Sequence, residues 1–576
     1  MATNNPKTAS SRISVSRFGG ICDHAGLALD AATNVRNFRI LSDGTLEKRC
    51  GYLKNYTFEQ PLRGLWEGVV SGESHLVLVV GNQIYLRNPT SGLLRAIYVL
   101  PTSSGDVSFF LYRDQLWLMD GSSLLRFFPS SRSFSVAQGY VPLYGYNWHP
   151  TALGEVKEPL NLVRNEIRIH YYNTNGSSTF NLPFTTQSIR YVKINGTPIT
   201  TYNFQPGTSS FTIPVMYSTV GPVEVHIALD PIFSGRQNVL ASHYAKVFRT
   251  PTAETAICYG SKAGYLLYRT TPVTDEMLHA CSLAVDDADP FYIAKDSAFA
   301  VGSSTHPVTA LCQFEDRMLV FNDESLWAIH YTEEGAEDDM EILPIRAGLG
   351  CASSDGVVLG GRYPIAATRA GIARLKFSTS NPNLCEPEIL SAGIRNQHSR
   401  EFLQNATLFW DEFRQELWAK DPSDSAGTVW ICDPERDIWF CFNGIRAKRF
   451  FTLDGNIGFA EEYALCHFDE GTNTDNGEIF SAIYQSHFCD LSAFGAPRRT
   501  LRVSVLTQND KGRLASLIET DRGVKPIKFR SNSNTSDLVH FERRLAMGRF
   551  RLLRYSFEII GESRCRIYSL SIATNP

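Results

Sequence analysis

The stretch Tyr112–Phe127, which reads YRDQLWLMDGSSLLRF, contains the pattern that decides the fold. Two apolar runs, LWLM and LLRF, are separated by Asp120-Gly121, and an Asp-Gly pair between two apolar runs is a strong signal for a tight antiparallel hairpin. The stretch Phe314–Trp327, FEDRMLVFNDESLW, repeats the same order: an aromatic residue, an acidic residue, four apolar residues, an acidic or amide turn and Ser-Leu. The sequence therefore predicts a repeated β-hairpin.

Looser copies of this hairpin occur at Leu78–Leu86, Ile365–Leu375 and Glu416–Phe440. A hairpin that recurs about every 40 residues is typical of radial repetition, in which four-stranded blades form a propeller. The alternative is a β-sandwich whose hairpins are similar by coincidence. The pattern favours an all-β protein with a β-propeller core that an insertion interrupts once.

Composition and charge limit the classes of protein to which this chain can belong. The chain has 576 residues, of which 43% are hydrophobic and 12% aromatic, so a folded protein with more than one domain is expected. The net charge of -4 argues against a strongly basic nucleic-acid-binding protein. From Arg498 onward, however, 16 Lys and Arg accompany 7 Asp and Glu, an excess of nine positive charges, which leaves a net charge of −13 for the rest of the chain.

Cysteine usage and hydropathy predict where the protein is made. The twelve cysteines include no CxxC pair, a pattern that favours free, buried thiols in a reducing compartment over a disulfide framework. The N-terminal residues are polar and lack the apolar core of a signal peptide. The longest apolar run, Leu76–Val80, is far shorter than the roughly 20 residues that span a bilayer. We therefore expect synthesis in a cytoplasm and no membrane insertion.

Changes in pattern along the chain predict its domains. Strict period-two alternation, as in Glu166–Tyr171 and Val223–Ile227, predicts half-exposed strands of an inserted domain, and a helical piece is expected at Thr274–Leu283. Arg alternates with apolar residues near the C-terminus, and Ile567–Ile572 is the candidate strand that closes the propeller. The predicted organisation is a flexible N-terminal arm (1–18), a hairpin with the first blades (19–157), an inserted β-sandwich-like domain (158–245), the remaining blades (246–490) and closing strands (491–576).

A segment near the N-terminus carries a family resemblance. After Gly19-Gly20-Ile21, residues Asn34–Tyr52 read NVRNFRILSDGTLEKRCGY, a strand, an acidic-Gly turn and a returning strand that ends in Lys-Arg. This segment resembles the start of the tail nozzle proteins of short-tailed bacteriophages, also called tail tubular protein B. The resemblance is specific over 19–52 and architectural elsewhere. Cys50 departs from the Pro that often follows Lys-Arg in that family, and the hairpin is expected to tolerate it.

The resemblance implies a structural virion protein that lacks catalytic activity. Such a protein would form a homo-oligomeric ring, a hexamer, at the distal end of the tail. The ring would dock below an adaptor ring on the portal vertex, carry tail fibres or a tail-tip protein, and let double-stranded DNA pass without sequence-specific binding. A minor structural protein of a long-tailed phage with the same propeller is an alternative that the sequence does not separate.

Candidate site residues fall into three groups. The N-terminal hairpin is expected to be fixed by four residues, of which the two cations are available to a neighbouring subunit or adaptor: Asn37, Gly44, Lys48 and Arg49. Candidate interface cations near the C-terminus are Arg498, Arg499, Arg543 and Arg544. An acidic loop is either a solvated surface loop or, as the resemblance implies, a negative collar around a DNA channel; its residues are Glu333, Glu334, Glu337, Asp338 and Asp339.

The rival hypothesis is a glycan-cleaving or glycan-binding propeller of a virion or cell surface. Glycoside hydrolysis uses two carboxylates, and the candidate for such a pair is the group Asp286, Asp287 and Asp289, beside Pro290. No phosphate-binding glycine loop, GxSxG or HExxH motif is present in the sequence. Cys466-His467 has no second pair at zinc-ligand spacing. We therefore predict no enzyme activity, no metal and no cofactor.

Overall fold

In the computed structural model the chain is nearly all β. The residues that the structure describes exclude 1–10, 24–29, 106, 113, 121–123, 137–138, 162–163, 165, 230–255, 258–264, 270–276, 281–297, 303–305, 307, 316, 333–338, 379, 382, 454, 491–497, 510–512, 531–537, 563 and 576. The chain divides into two compact units. We call Gln60–Gly350 the middle unit, and Met1–Glu59 together with Cys351–Pro576 the terminal unit. The predicted all-β class is confirmed.

The first five strands belong to the terminal unit. They are β1 (Ser11–Val15), β2 (Ala32–Arg36), β3 (Phe38–Ile40), β4 (Leu46–Lys48) and β5 (Gly51–Thr57).

In the part of the middle unit that the structure describes, there are four antiparallel sheets of four strands, and in each sheet the strands pair in chain order. The first is β6 (Leu62–Val70), β7 (Glu73–Val80), β8 (Gln83–Arg87) and β9 (Leu94–Val99), and the second is β10 (Ser108–Tyr112), β11 (Gln115–Met119), β12 (Leu124–Phe128) and β13 (Ser133–Val136). After an insertion come β20 (Ala256–Ile257), β21 (Tyr265–Arg269), β22 (Met277–Ala280) and β23 (Ala298–Ala300), then β24 (Val308–Phe314), β25 (Arg317–Asn322), β26 (Ser325–Thr332) and β27 (Asp339–Ala347).

The two hairpins predicted from Tyr112–Phe127 and Phe314–Trp327 are both formed. Met119 of β11 pairs with Leu124 of β12 in the one, and Phe321 of β25 pairs with Leu326 of β26 in the other. Each hairpin is preceded by another tight turn. Asp114 is the second residue of one of these turns and Glu315 is the first residue of the other, and both adopt positive φ, at 55° and 52°. The strand pairing, rather than identical turn geometry, confirms that the hairpin is repeated. The arrangement of all the four-stranded sheets around one axis stays a prediction.

The insertion is a six-stranded sheet with its own hydrophobic core. Its strands are β14 (Leu143–Trp148), β15 (Glu166–Asn173), β16 (Thr179–Ile194), β17 (Thr197–Ile199), β18 (Thr208–Thr212) and β19 (Gly221–Leu229), with a 3-10 turn at Val215–Tyr217. Asn195 and Gly196 join β16 to β17 with φ of 49° and 79°, as the tight turn requires. The sheet begins at Leu143, before the predicted start of the inserted domain at residue 158.

The prediction of a helix at Thr274–Leu283 is wrong over the residues of this segment that the structure describes. Met277–Ala280 forms β22, which pairs with β21 on one side and β23 on the other. Pairing on both edges satisfies the backbone of this short segment, so tertiary context overrides its local helical pattern. The rest of the expected helix lies outside the described residues.

Among the described residues, the terminal unit contains three further groups of four paired strands, of which the first and third in chain order are separate sheets and the second is part of a ten-stranded sheet. Two are consecutive in the chain: β28 (Val357–Gly360), β29 (Tyr363–Thr368), β30 (Gly371–Phe377) and β31 (Cys385–Ile389), then β32 (Thr407–Asp411), β33 (Glu416–Lys420), β34 (Val429–Asp433) and β35 (Ile438–Phe442). Between them lie a 3-10 turn, Ala392–Ile394, and the helix α1, Arg400–Asn405, which Ser399 caps. The third is β36 (Arg449–Leu453), β37 (Asn456–Ala460) and β38 (Ala464–Asp469), completed by β5.

The C-terminal strands form larger sheets. They are β39 (Ser481–Ser486), β40 (Cys489–Asp490), β41 (Arg498–Asn509), β42 (Arg513–Thr520), β43 (Gly523–Arg530), β44 (Leu538–Phe550), β45 (Leu552–Ile560) and β46 (Cys565–Asn575). One sheet has the order β3-β4-β46-β41-β44, with β1 beside β46, and a second continues from β35 through β2-β39-β45-β42-β43, with β40 beside β45.

The closing strand is therefore not the one expected. Ile567–Ile572 lies in β46, where Ile567 pairs with Leu46 of β4 and Ile572 with Val503 of β41. The strand that completes a four-stranded repeat is β5, which pairs with β38 in a register that sets Gly51 opposite Asp469. Both strands come from distant parts of the chain, and local sequence does not specify which edge a distant strand joins.

The described cysteines behave as predicted. All ten are free thiols, and seven of them are buried. Burial raises the pKa of Cys312, Cys351, Cys441 and Cys466 to about 12, so these thiols stay protonated and pack as small apolar groups. Among the described residues no helix is long and apolar enough to cross a membrane.

Candidate functional site

The N-terminal hairpin is built around a tight turn. Strands β3 and β4 pair from Phe38–Lys48 to Ile40–Leu46. Asp43 Oδ1 accepts hydrogen bonds from the backbone N of Thr45 at 2.9 Å and from its Oγ1 at 2.7 Å. Gly44 has φ of +83°, and a Cβ at this position would lie 2.8–2.9 Å from Arg17. The predicted positive φ of Gly44 is confirmed, and the approach of Arg17 leaves no room for a Cβ at this position.

Arg49 is buried and fully engaged within the chain. Its side chain is 1% exposed, and its two Nη atoms bind the two carboxylate oxygens of Asp475 at 2.7 and 2.6 Å. Its Nε donates to Asn37 Oδ1 at 3.0 Å, and its guanidinium lies 3.8 Å from the ring centre of Phe480. A bidentate charged pair with a third hydrogen bond fixes the guanidinium in one orientation.

Asn37 connects this cluster to β39 and to the segment that follows β35. It has φ of +58°, a conformation that Asn tolerates better than most residues. Its Nδ2 donates to the carbonyl of Ser481 at 2.8 Å, and its Oδ1 accepts from the backbone N of Asn443 at 2.8 Å as well as from Arg49. The side chain therefore ties the hairpin to segments more than 400 residues away in sequence.

Lys48 is buried beside Arg49. The residue is 2% exposed, its Nζ donates to the carbonyl of Gly561 at 2.5 Å, and it lies 4.2 Å from the ring centre of Phe480. Burial, with a smaller contribution from Arg49, lowers the pKa of Lys48 to about 8. The expectation that Lys48 and Arg49 are available to a neighbouring subunit is therefore wrong, because the hairpin turns both cations onto the C-terminal segments of the same chain.

The other predicted residues are placed as follows. Arg543 and Arg544 are exposed on β44, the last strand of its sheet. The backbone of Arg498 and Arg499 begins β41, and that of Asp339 begins β27. The remaining acidic-loop residues and the acidic group of the rival hypothesis lie outside the described residues: Glu333, Glu334, Glu337, Asp338, Asp286, Asp287 and Asp289. Among the described residues no cluster of His, Cys, Asp and Glu could hold a metal ion.

The structure brings together a second polar group that the sequence argument missed. On the outer face of the inserted sheet, a row of side chains crosses four strands. Tyr146 lies 5.9 Å from the ring of His170, whose Nε2 is 3.7 Å from Glu224 Oε2. The same carboxylate is 3.5 Å from Lys193 Nζ and accepts a hydrogen bond from Tyr191. Cross-strand pairs of this kind stabilise a sheet face.

A second carboxylate lies on the same face. Glu166 is 6% exposed and accepts hydrogen bonds from Arg190 at 2.8 Å, from His226 at 3.1 Å and from Arg164 at 2.7 Å. Burial acts to raise the pKa of Glu166, but these partners outweigh it and hold the pKa below its usual value. Burial lowers the pKa of His226, so the imidazole is neutral at pH 7.

Exposed aromatic rings border these charges. Tyr146 is 51% exposed and Tyr172 is 47% exposed. Tyr172 lies two residues beyond His170 on β15 and therefore on the same face. Lys157 Nζ lies 4.7 Å from the ring centre of Tyr146. Period-two alternation predicted a polar face here, but the assembly of its side chains into rows depends on cross-strand register.

Comparison with known proteins identifies no family. No family model and no curated protein matches the chain. Solved structures that match include TmCBM61 with beta-1,4-galactotriose, at 14% identity over 21% of this chain and 70% of that chain with a TM-score of 0.15. Others are BBS1N with ARL6DN (10% identity, 73% and 98% coverage, TM-score 0.33) and an exo-beta-1,3-galactanase from Phanerochaete chrysosporium (7% identity, 90% and 99% coverage, TM-score 0.22). The ligands named with these structures belong to those proteins.

Proposed function

We propose that the chain is a structural protein of a phage virion that forms a ring, the nozzle, at the distal end of the tail. The observation that carries this proposal is the position of β5. This strand directly follows the hairpin that resembles the nozzle family, and it completes the sheet of β36–β38 about 400 residues later. A β-propeller within one chain closes when a strand from the start of the chain completes the sheet of a late blade, and a propeller core is what the nozzle resemblance implies.

Two further observations support an assembly role. The hairpin residues Asn37, Lys48 and Arg49 serve to hold the terminal unit together, as expected of a rigid building block. The exposed Arg543 and Arg544 lie on an edge strand, where cations prevent uncontrolled strand addition and leave charge for an acidic neighbour. In this proposal the ring is homo-oligomeric, contacts an adaptor ring and a fibre or tip protein, and conducts double-stranded DNA.

Mass measurement of the purified full chain tests the proposal. We expect a ring of defined stoichiometry by mass photometry and a central channel by electron microscopy. The variant Arg543→Glu/Arg544→Glu should reduce the ring population, whereas Arg362→Glu, an exposed cation on a turn of the terminal unit, should not. A chain that stays monomeric at high concentration, alone and with an adaptor ring, would argue against a nozzle.

A second candidate function, glycan binding, is favoured by the outer face of the inserted sheet. Exposed tyrosine rings can stack on the apolar faces of sugars, and the neighbouring His170, Glu224 and Lys193 offer hydrogen-bond partners for hydroxyl groups. This face satisfies the requirements of a binding site more fully than those of hydrolysis, because each of its two carboxylates is already held by cations.

Binding to bacterial polysaccharides discriminates between the two functions. If glycan binding is correct, Tyr146→Ala and Tyr172→Ala should weaken binding, while Tyr463→Ala, a 48% exposed tyrosine of the terminal unit, should not. A ring that binds no glycan favours the nozzle. Hydrolysis abolished by Asp286→Asn would instead support the glycan-cleaving alternative.

A further inference from the structure

A cavity in the terminal unit is lined by cations from two segments of the chain. It has a volume of about 590 Å³. Arg369 lies in the turn between β29 and β30, and Gly371 begins β30. Ser391, Arg395 and His398 lie between β31 and α1, and Arg400 begins α1. The cavity involves neither the N-terminal hairpin nor the outer face of the inserted sheet.

The charges around this cavity are of one sign. Three arginines line it, all of them exposed, and none of the described residues that line it is acidic. Arg395 and Arg400 form no ion pair with any described residue, unlike Arg374 nearby in sequence, which binds Glu388 at 2.7 Å. Arg395 and Arg400 are like charges that line one cavity without a counter-charge among the described residues, so this pair favours a bound anion.

A buried histidine provides an independent observation. His398 is 7% exposed, and neither of its ring nitrogens has a hydrogen-bond partner among the described residues. Its ring stacks on Phe402 at 4.6 Å and meets Trp430 and Trp439 edge-on at 5.1 and 5.4 Å. Buried polar atoms are nearly always hydrogen-bonded, and the exceptions call for an explanation. A ligand oxygen in the cavity would give this imidazole an acceptor.

Asp23, whose charge acts on His398, is already hydrogen-bonded. Asp23 accepts a hydrogen bond from the backbone N of Asn396 at 2.7 Å and another from Gln397 Nε2 at 3.0 Å. These bonds hold the 395–398 segment in place without adding a carboxylate to the cavity lining. Burial nevertheless outweighs the attraction of Asp23 and lowers the pKa of His398 to about 4, so His398 is neutral at pH 7 and donates from one nitrogen only.

We propose that this cavity binds a phosphate-type oxyanion, free or as part of a nucleic-acid backbone, between Arg369, Arg395 and Arg400, with His398 donating a hydrogen bond from the cavity floor. Planar guanidinium groups match the paired oxygens of phosphate, and three of them provide more donors than one carboxylate can accept. The volume leaves room for groups attached to the phosphate. The proposal does not depend on ring formation, so its failure would leave the nozzle proposal unaffected.

Calorimetric titration of the full chain tests the site. The probes are inorganic phosphate, a short DNA duplex and acetate as a carboxylate control. We expect phosphate or the duplex to bind, and Arg395→Ala/Arg400→Ala to weaken that binding by at least about tenfold. Arg362→Ala, an exposed arginine on the turn between β28 and β29 that does not line the cavity, should leave binding unchanged.

Whether the site takes free phosphate or a nucleic-acid backbone follows from which of the two probes binds. Binding of free phosphate that the double variant abolishes supports a small-ligand site, and binding of only the duplex supports a backbone contact. His398→Phe keeps the aromatic packing and should weaken binding without unfolding the chain, which urea unfolding checks. Absence of binding to both phosphate and duplex, equal loss with Arg362→Ala, or tighter binding of acetate than of phosphate would overturn the proposal.

Discussion

Replacing Arg49 with methionine tests whether the N-terminal hairpin is an internal fastening or an external contact. In the wild-type chain both carboxylate oxygens of Asp475 bind Arg49, at 2.7 and 2.6 Å, and the two side chains are only 1% and 10% exposed. Arg49→Met preserves much of the side-chain length but leaves Asp475 without its cation. Removing one partner of a buried ion pair typically costs about 3–5 kcal/mol.

We therefore expect Arg49→Met to lower the free energy of unfolding of the terminal unit by about 3–5 kcal/mol. Urea unfolding of the full chain, followed by tryptophan fluorescence, measures this change. The double variant Arg49→Met/Asp475→Asn should recover part of the loss, because it removes the unpaired buried charge.

A matched surface pair provides the control. Lys448 Nζ lies 3.4 Å from Glu462 Oε2, with side chains 48% and 49% exposed, so Lys448→Met should cost about 0–1 kcal/mol. If Arg49→Met folds as stably as Lys448→Met and fails only in ring assembly, Arg49 acts at an interface and our assignment of it to the interior is refuted.

Three other perturbations have definite expected outcomes. Gly44→Ala should destabilise the chain by more than about 1 kcal/mol and by more than Gly72→Ala. Both glycines have positive φ, but a Cβ would meet neighbouring atoms at Gly44 and none at Gly72. Thermal unfolding compares the stabilities of the two variants. The pKa of Lys48 is lowered to about 8 from 10.5, so the unfolded chain binds more protons between these pH values and the free energy of unfolding should rise with pH across them. Urea titrations of Lys48→Met at several pH values should lack this rise. The pKa of Glu166 is lowered, so its contribution to stability is lost as the pH falls through the folded-state pKa. The free energy of unfolding of Glu166→Gln should therefore fall less steeply in acid than that of the wild type. Equal pH dependence of the two free energies would contradict this role of Glu166.

Part of the site could be predicted from the sequence. The turn at Asp43-Gly44 and the hairpin that it joins follow from residues within a few positions of each other, since positive φ at a tight turn selects glycine. The burial of Lys48 and Arg49 could not be predicted from the sequence, because their partners Gly561 and Asp475 lie hundreds of residues away. Charged residues at a strand end look alike in sequence whether solvent or a distant carboxylate satisfies them.

The same division applies to the whole chain. The alternation of apolar residues and the Asp-Gly and Asn-Gly turns determined that the protein is built from antiparallel hairpins, since each hairpin depends on contacts between near neighbours in sequence. Only the tertiary structure decided that β5 completes the sheet of β36–β38 and that β46 joins β4 and β41. Any exposed strand edge offers the same unpaired N–H and C=O groups, so the choice among edges is made by side-chain packing and burial across the folded unit.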